Sequence, residues 1–440
     1  MASEPRLTQG VQQGAVPIDA GLVADCVHCG FCLPTCPTYL LWGEEMDSPR
    51  GRIYLMKQRL EGEPLDDTMV RHFDQCLGCM ACVTACPSGV QYDKLIEATR
   101  AHIEDEHQRS PRDRTARGLI FHVFPFPRRL RAMRPLLRAY QSSGAARLLR
   151  RTRLLDRLPP TFGAMERLLP PVAAEREPIA ETTPATGPRR ARVGMLLGCV
   201  QREFFPGVNA ATVRVLSAEG CEVLAPPVQG CCGALSLHSG RREEAVRFAK
   251  RTIATFESLE IDAVVVNAAG CGSSMKDYEH VLADDPQWAA RAAALSAKVR
   301  DVTELLVELG PVAPRHPLPM SIAYHDACHL SHAQGVRAQP RQLLAGIPGL
   351  ELREIAEADI CCGSAGVYNL LQPDAARELG DRKAAYVLAT GADVLVTANP
   401  GCLLQIKAAA QRSGRELVLA HTVQVLDASI RGAATPWKPR

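Results

Sequence analysis

From Ala191 onward, short runs rich in Val, Ile, Leu and Ala alternate with longer stretches whose apolar residues recur at helical spacing. The short runs predict strands and the longer ones helices, which together argue a mostly parallel α/β sheet. ARVGMLLGC reads as a strand ending at Cys199. Helical PGVNAATVRVLSAEG, the short strand CEVLAP, Cys231-Cys232-Gly233, helical REEAVRFAKRTIATFESL and the strand DAVVVNAAGC, ending at Cys271, follow. A second copy runs from SIAYHDAC at Cys328 through ELREIA, Cys361-Cys362-Gly363 and PDAARELGDRKAAYVLAT to DVLVTANPGC at Cys402. The spacings, Cys-x31-Cys-Cys-x38-Cys and Cys-x32-Cys-Cys-x39-Cys, make these two copies of one unit.

Before the repeats the pattern is different. SPRGRIYLMKQRLEG opens with Ser48 as an N-cap and Pro49 in the first turn, and no Val/Ile/Thr-rich run lies nearby, so this part reads as helical. Between Arg109 and Arg167, fifteen arginines face only Asp113, Asp156 and Glu166, and leucines recur beside them, which predicts basic amphipathic helices. PPVAAEREPIAETTPATGPRR has no periodicity and reads as a linker. The expected division is therefore a helical module over 1–108, an Arg-rich helical segment over 109–169, a linker over 170–190, and α/β units over 191–312 and 313–440.

Composition narrows the class. With 440 residues, 46% hydrophobic and 22% charged, the chain buries a large core and is not disordered. A formal net charge of +3 gives no case for nucleic acid. The Arg-rich segment offers a local basic surface for anionic lipid or an acidic partner, or simply a solvated helix face. MASEPRLTQG lacks the features of a secretory signal, and no apolar run reaches the length of a membrane span. A cytoplasmic setting follows, in which seventeen cysteines point to metal or redox chemistry and not to disulfides.

The cysteines carry the chemistry. Cys26, Cys29, Cys32 and Cys36, and again Cys76, Cys79, Cys82 and Cys86, follow C-x2-C-x2-C-x3-C-P, the spacing of two-[4Fe-4S] ferredoxins. Three closely spaced thiols wrap one cube, and the fourth, stopped by proline, reaches the other. On this logic one cluster takes Cys26, Cys29, Cys32 and Cys86, and the other Cys76, Cys79, Cys82 and Cys36. Zinc, held by two cysteine pairs, does not explain the third interval. In the repeats, Cys199, Cys231, Cys232 and Cys271, and Cys328, Cys361, Cys362 and Cys402, supply four sulfurs per unit for a further cluster, a zinc ion or a redox-active thiol group. His325, His329 and His332 around Cys328 are candidate nitrogen ligands or proton relays, with backbone hydrogen bonding as the plainer role; Asp326 and His28 are open in the same way. No G-x-G-x-x-G or G-x-x-x-x-G-K-[ST] is present, so nothing points to a flavin or nucleotide on this chain.

The doubled ferredoxin motif, the phrase CVHCGFC-x3-CP, SPRGRIYLMKQ, the two Cys-Cys-Gly repeats and YHDACHLSHAQG resemble the iron-sulfur subunits of bacterial glycolate oxidase over nearly the whole chain. Less closely, they resemble the Cys-Cys-Gly subunits of heterodisulfide reductase and of lactate-utilisation complexes. The resemblance implies α/β Cys-Cys-Gly domains and a division of labour. An FAD-bearing partner subunit takes a hydride from glycolate or D-lactate, and this chain, with no catalytic residue of its own, passes single electrons toward quinone. The setting is the cytoplasm or the inner face of the cell membrane. Heterodisulfide reductase holds a non-cubane cluster with five cysteines ending in C-x2-C, whereas here Ala268 and Asn399 stand three before Cys271 and Cys402. A four-ligand site or no cluster thus stays open in each repeat. The alternative function is a thiol-disulfide reductase acting at a Cys-Cys-Gly site; a third reading has the clusters only bracing the fold.

Overall fold

The computed structural model describes residues 18–152, 157, 160–172 and 177–433. The N-terminal residues read for a secretory signal, part of the RTRLLDRL stretch and part of the 170–190 segment lie outside these. Among the described residues, none before Thr182 is in a strand. The helix Pro49–Leu60 starts where its chemistry dictates. The Ser48 side chain accepts the Gly51 amide at 3.0 Å, and Pro49 fills a position that needs no donor. Its Ile53 and Met56 pack with Phe73, Leu95, Ile96 and Ile103 in the core of the helical module.

The Arg-rich segment forms the helices Pro111–Val123, Pro127–Ser142, Ala145–Arg151 and Pro160–Arg167. They act as a strap across the molecule. Ile120 and Phe121 pack on Val367 and Leu370, while Phe126 meets Phe248 edge-on at 5.7 Å. Arg109 and Arg117 turn inward to Asp74, Glu104 and Asp113, whereas Arg112, Arg114, Arg128 and Arg138 face solvent. Part of the basic character thus serves ion pairs within the chain.

The strands are β1 (Thr182–Thr183), β2 (Ala191–Met195), β3 (Cys221–Leu224), β4 (Ala263–Val266), β5 (Val299–Asp301), β6 (Met320–Tyr324), β7 (Leu350–Glu354), β8 (Val394–Thr397) and β9 (Leu419–His421). They form two sheets, ordered β1-β3-β2-β4-β5 and β7-β6-β8-β9, parallel throughout except for β1. With β1 set aside, both units have the same doubly wound order, which puts a crevice at the carboxyl ends of their first and third strands. The central strands β4, β6 and β8 are buried along their full length, as a sheet covered by helices on both faces requires. β1 lies inside the segment read as linker, where Thr182 and Thr183 pair with Leu224 and Val223.

Sequence reading carried four strands as far as Cys199, Cys271, Cys328 and Cys402; the sheets stop earlier, at Met195, Val266, Tyr324 and Thr397. Gly198, at φ 71°, turns the first chain off the sheet, and Pro400 starts a helix after the last. Cys271 and Cys402 consequently sit in the first turn of the helices Ala269–Lys276 and Pro400–Arg412.

The two units exchange helices. Pro206–Ala218 of the first packs on Thr422–Arg431 of the second, and Val302–Leu309 packs on Ala338–Ala345. One apolar core runs through both units, from Val193, Val215 and Val265 to Ile322, Val396 and Leu426. Arg214 locks the seam, donating to both carboxylate oxygens of Asp427 at 2.9 and 2.7 Å. No helix among the described residues is long and apolar enough to cross a membrane.

Leu426 is fully buried in this shared core. Leu426→Ala is expected to cost about 2–5 kcal/mol. Denaturant unfolding checks this against Leu136→Ala, a change at a position 72% exposed; equal losses would contradict a common core.

Candidate functional site

Each N-terminal cysteine loop is wound in the same unusual way. The second and fourth residues after its first cysteine are left-handed: His28 (φ 54°) and Gly30 (φ 89°) in one loop, Gly78 (φ 62°) and Met80 (φ 62°) in the other. Such winding turns amides inward into a concave nest for anions and cluster sulfurs, and the Gly78 amide donates to Cys76 Sγ at 3.4 Å. His28 and Met80 hold this conformation without the freedom of glycine, at a cost of order 1–3 kcal/mol each.

Cys86 comes back to the first loop. A groove of about 30 Å³ is lined by Cys26, Cys29, Cys32 and Cys86, with Cys82 at its wall as well, and Cys29 is exposed. Cys36 joins the second loop close to Cys76, Cys79 and Cys82, and all four of these are buried. Burial raises the thiol pKa of Cys26, Cys32, Cys79 and Cys82. Burial acts the same way on Cys76, but the charges of Arg52 and Arg100 outweigh it and hold that thiol below its ordinary value. Paired nests and clustered thiols suit iron-sulfur centres, whose ligands are thiolates.

The polar groups around the inner set are built in. Arg52, 1% exposed, donates to the carbonyls of His72 and Asp47 at 2.7 and 2.5 Å. Tyr92 Oη donates to Cys76 Sγ at 3.6 Å, and Thr38 Oγ1 lies 3.3 Å from Cys36 Sγ. Arg100 donates to the Cys76 carbonyl at 2.5 Å and the His238 carbonyl at 2.8 Å, tying the loop to the first α/β unit.

In the first unit, Cys199 Sγ is 3.6 Å from Cys231 Sγ, and Cys232 bridges Cys231 and Cys271 by hydrogen bonds that pull its own pKa down. In the second, Cys328 Sγ is 3.9 Å from Cys361 Sγ, Cys361 adjoins Cys362, and Cys362 adjoins Cys402. Each unit therefore presents an unbroken row of four sulfurs at the carboxyl edge of its sheet. A side chain at Gly363 (φ 84°) would put Cβ 2.7 Å from the Ala376 carbonyl oxygen, so the row depends on glycine there. Cys221, outside all these sets, is buried at the start of β3.

The two sulfur systems meet. Leu77, Cys79 and Ala81 pack in one apolar cluster with Cys328, Cys361, Tyr368 and Leu379. The first unit joins through a hydrogen bond between Glu97 and His238 (3.0 Å) and an ion pair of Lys94 with Asp277. Between them lies a cavity of about 50 Å³ lined by Arg100, His238, His329 and Tyr368, with the two imidazoles 4.9 Å apart. His332 takes the plainer role, its ring held by Thr84 Oγ1 at 2.8 Å and the Asp359 carbonyl at 3.1 Å. Asp326 pairs with Arg341 at 2.7 Å, and the His28 carbonyl accepts from Arg50 at 3.0 Å. His325 and His329 do not share a helix, because Cys328–Ser331 begins only after His325.

Comparison with known proteins fits these parts. A model of the 4Fe-4S dicluster domain matches residues 22–90, one of the cysteine-rich domain matches 193–276 and 322–407, and one of the linker region of the glycolate oxidase iron-sulfur subunit matches 112–169. A probable glycolate oxidase iron-sulfur subunit of Bacillus subtilis (strain 168) is 41% identical over 422 residues, 94% of this chain and 95% of its own length. The chain belongs to the family of glycolate oxidase iron-sulfur subunits. The Escherichia coli (strain K12) member is 35% identical over 438 residues, 97% of this chain and 99% of its own. Lactate utilization protein A of an Exiguobacterium species is 34% identical over 242 residues, 55% of this chain and 99% of its own. A crystal structure of a hypothetical Helicobacter pylori protein shares the fold, with TM-score 0.52 at 8% identity, covering 87% of this chain and 68% of its own. This family member thus consists of a helical dicluster domain followed by two α/β Cys-Cys-Gly domains.

Sequence reading missed Arg52, Arg100 and Tyr92. Only Arg52 left a trace, as a charge among the apolar positions of SPRGRIYLMKQ. A nearby positive charge stabilises a reduced cluster. With a cluster held by the inner thiols, Arg100→Met is therefore expected to lower that cluster's reduction potential by roughly tens of millivolts, read by an EPR-monitored redox titration. An unchanged potential would contradict the electrostatic role.

Proposed function

We propose that this chain is the electron-transfer subunit of a glycolate oxidase complex. In this reading an FAD-bearing partner oxidises a 2-hydroxy acid, glycolate before D-lactate, and electrons cross this chain singly toward quinone. Cys26, Cys29, Cys32 and Cys86 hold one [4Fe-4S] cluster, and Cys76, Cys79, Cys82 and Cys36 the other. Bound there, such clusters supply reversible one-electron transfer. The functional parts are a ferredoxin module (1–108), the strap (109–169), a linker (170–190) and Cys-Cys-Gly units at 191–312 and 313–440.

The observation that carries the reading is a gradient of exposure. Cys29 stands at the surface between Val27 and Phe31, 68% and 65% exposed, whereas the inner set is closed off by the second Cys-Cys-Gly unit. An outer site suits exchange with a partner protein, and an inner one protects reduced centres from water. Leu136 and Leu148, exposed among the arginines of the strap, suit a partner subunit's acidic face or anionic lipid on the inner face of the membrane.

The expected composition is about eight iron and eight sulfide per chain from the two cubes. Glycolate-dependent dye reduction is expected to require both this chain and a flavoprotein, and to fall at least about tenfold in Cys29→Ser with loss of one cluster's EPR signal. Zinc in place of iron, or full activity of the flavoprotein with quinone in this chain's absence, would sink the assignment.

A second reading, a thiol-disulfide reductase, is favoured by the packing of Cys79 against Cys328 and Cys361, which puts the Cys-Cys-Gly sulfurs beside the inner set. Reduction of a mixed disulfide by the isolated chain with an artificial electron donor would support it.

A further inference from the structure

The two Cys-Cys-Gly units share a fold but differ in what surrounds their sulfurs. Alignment on Cys199 and Cys328 sets Leu196 opposite His325, each three residues before its cysteine and just past its strand. Leu196 is an apolar wall packed with Cys199, Cys231 and Cys232. His325 is 1% exposed, and neither ring nitrogen has a hydrogen-bond partner among the described residues. Buried polar groups are rarely left so, because an unpaired donor or acceptor keeps its full desolvation penalty.

The ring is aimed at sulfur. A nitrogen of His325 and the Sγ atoms of Cys362 and Cys402 all lie within 4.8 Å of one another. In a tetrahedral zinc site, with Zn–S about 2.3 Å and Zn–N about 2.0 Å, ligand atoms stand roughly 3.5–3.8 Å apart. Small side-chain movements close the difference. Two neighbours complete the contrast with the first unit. Asn399 Nδ2 donates to Cys402 Sγ at 3.2 Å, where the first unit has Ala268. Lys383, 2% exposed, sits near Cys361 and Cys362, and alignment on Ala245 and Ala376, whose carbonyls face Gly233 and Gly363, sets Thr252 at the matching position of the first unit.

We infer that the second Cys-Cys-Gly unit binds one zinc-type divalent metal through His325, Cys362 and Cys402, and that the first unit lacks this ligand set. Cys361, between Cys328 and Cys362, is the adjoining thiol available to complete the shell. Imidazole and thiolate together favour zinc over magnesium or calcium, which prefer oxygen ligands. The inference goes beyond the proposed electron-transfer role, takes up what the Cys-Cys-Gly cysteines of the second unit hold, and does not depend on glycolate as substrate.

The test uses the full chain purified anaerobically, as wild type, His325→Leu and Cys271→Ser, with metals measured by mass spectrometry and the cubane EPR signals kept as a folding control. About one zinc per chain is expected in wild type and in Cys271→Ser, falling at least tenfold in His325→Leu with iron unchanged. Zinc K-edge X-ray absorption of the wild type gives a reading that needs no variant: a nitrogen at about 2.0 Å beside sulfurs at about 2.3 Å is expected. Wild type without zinc, full zinc retention in His325→Leu, an all-sulfur shell, or iron lost along with His325 would each overturn the inference. The first three results leave the eight-iron count and the flavoprotein requirement untouched, so the two readings fail separately.

Discussion

Leu77, Cys79 and Ala81 are pressed against Cys328, Cys361, Tyr368 and Leu379, and this contact sets the arrangement around it. It brings the inner N-terminal thiols against the carboxyl edge of the second sheet, the place where a doubly wound fold gathers its chemistry. Water is excluded from thiols that would otherwise be solvated, so charge balance has to come from within the protein. Arg52 and Arg100 supply it on the N-terminal side; on the other, Lys383 lies beside Cys361 and Cys362, with its own pKa lowered by burial. The strap closes the same junction from outside, with Phe121 and Ile120 against Val367 and Leu370.

The duplicated units keep their scaffolding and vary their chemistry. Both start their last helix with a reciprocal cap, Asp301 with Glu304 in one and His421 with Gln424 in the other. Both need glycine after the vicinal cysteines, because a helix carbonyl, from Ala245 or Ala376, crosses at that point. The differences fall at three positions beside the sulfurs: Leu196 against His325, Ala268 against Asn399, and Thr252 against Lys383. At the first two of these positions the first unit sets hydrocarbon against its thiols and the second unit polar groups.

The cysteine spacings, the capped helix at Ser48 and the repeated α/β order were legible because each is a local pattern with one dominant physical cause. The fourth strand of each unit was not. Val299–Asp301 and Leu419–His421 are three residues long, mix polar with apolar side chains, and become strands only because a parallel neighbour waits for them. Thr182–Thr183 was hidden for the same reason in a stretch rich in Pro and Thr. Strand ends ran too far in the reading since apolar residues such as Leu196 and Leu197 continue past the sheet into the site. Arg52 and Arg100 owe their roles to neighbours far away in sequence, which no spacing rule reaches. The meeting of Cys79 with Cys328 is of that kind too.

The exchange of helices between the two α/β units bears on how the protein is made. The first unit's helix Pro206–Ala218 packs most extensively on Thr422–Arg431, close to the last residue described. On the ribosome, about two hundred residues are synthesised between these two segments, and during that interval the leading unit keeps an open hydrophobic flank. Closure of that flank therefore waits until residues 422–431 have been made, and an apolar face left open for so long is prone to wrong contacts.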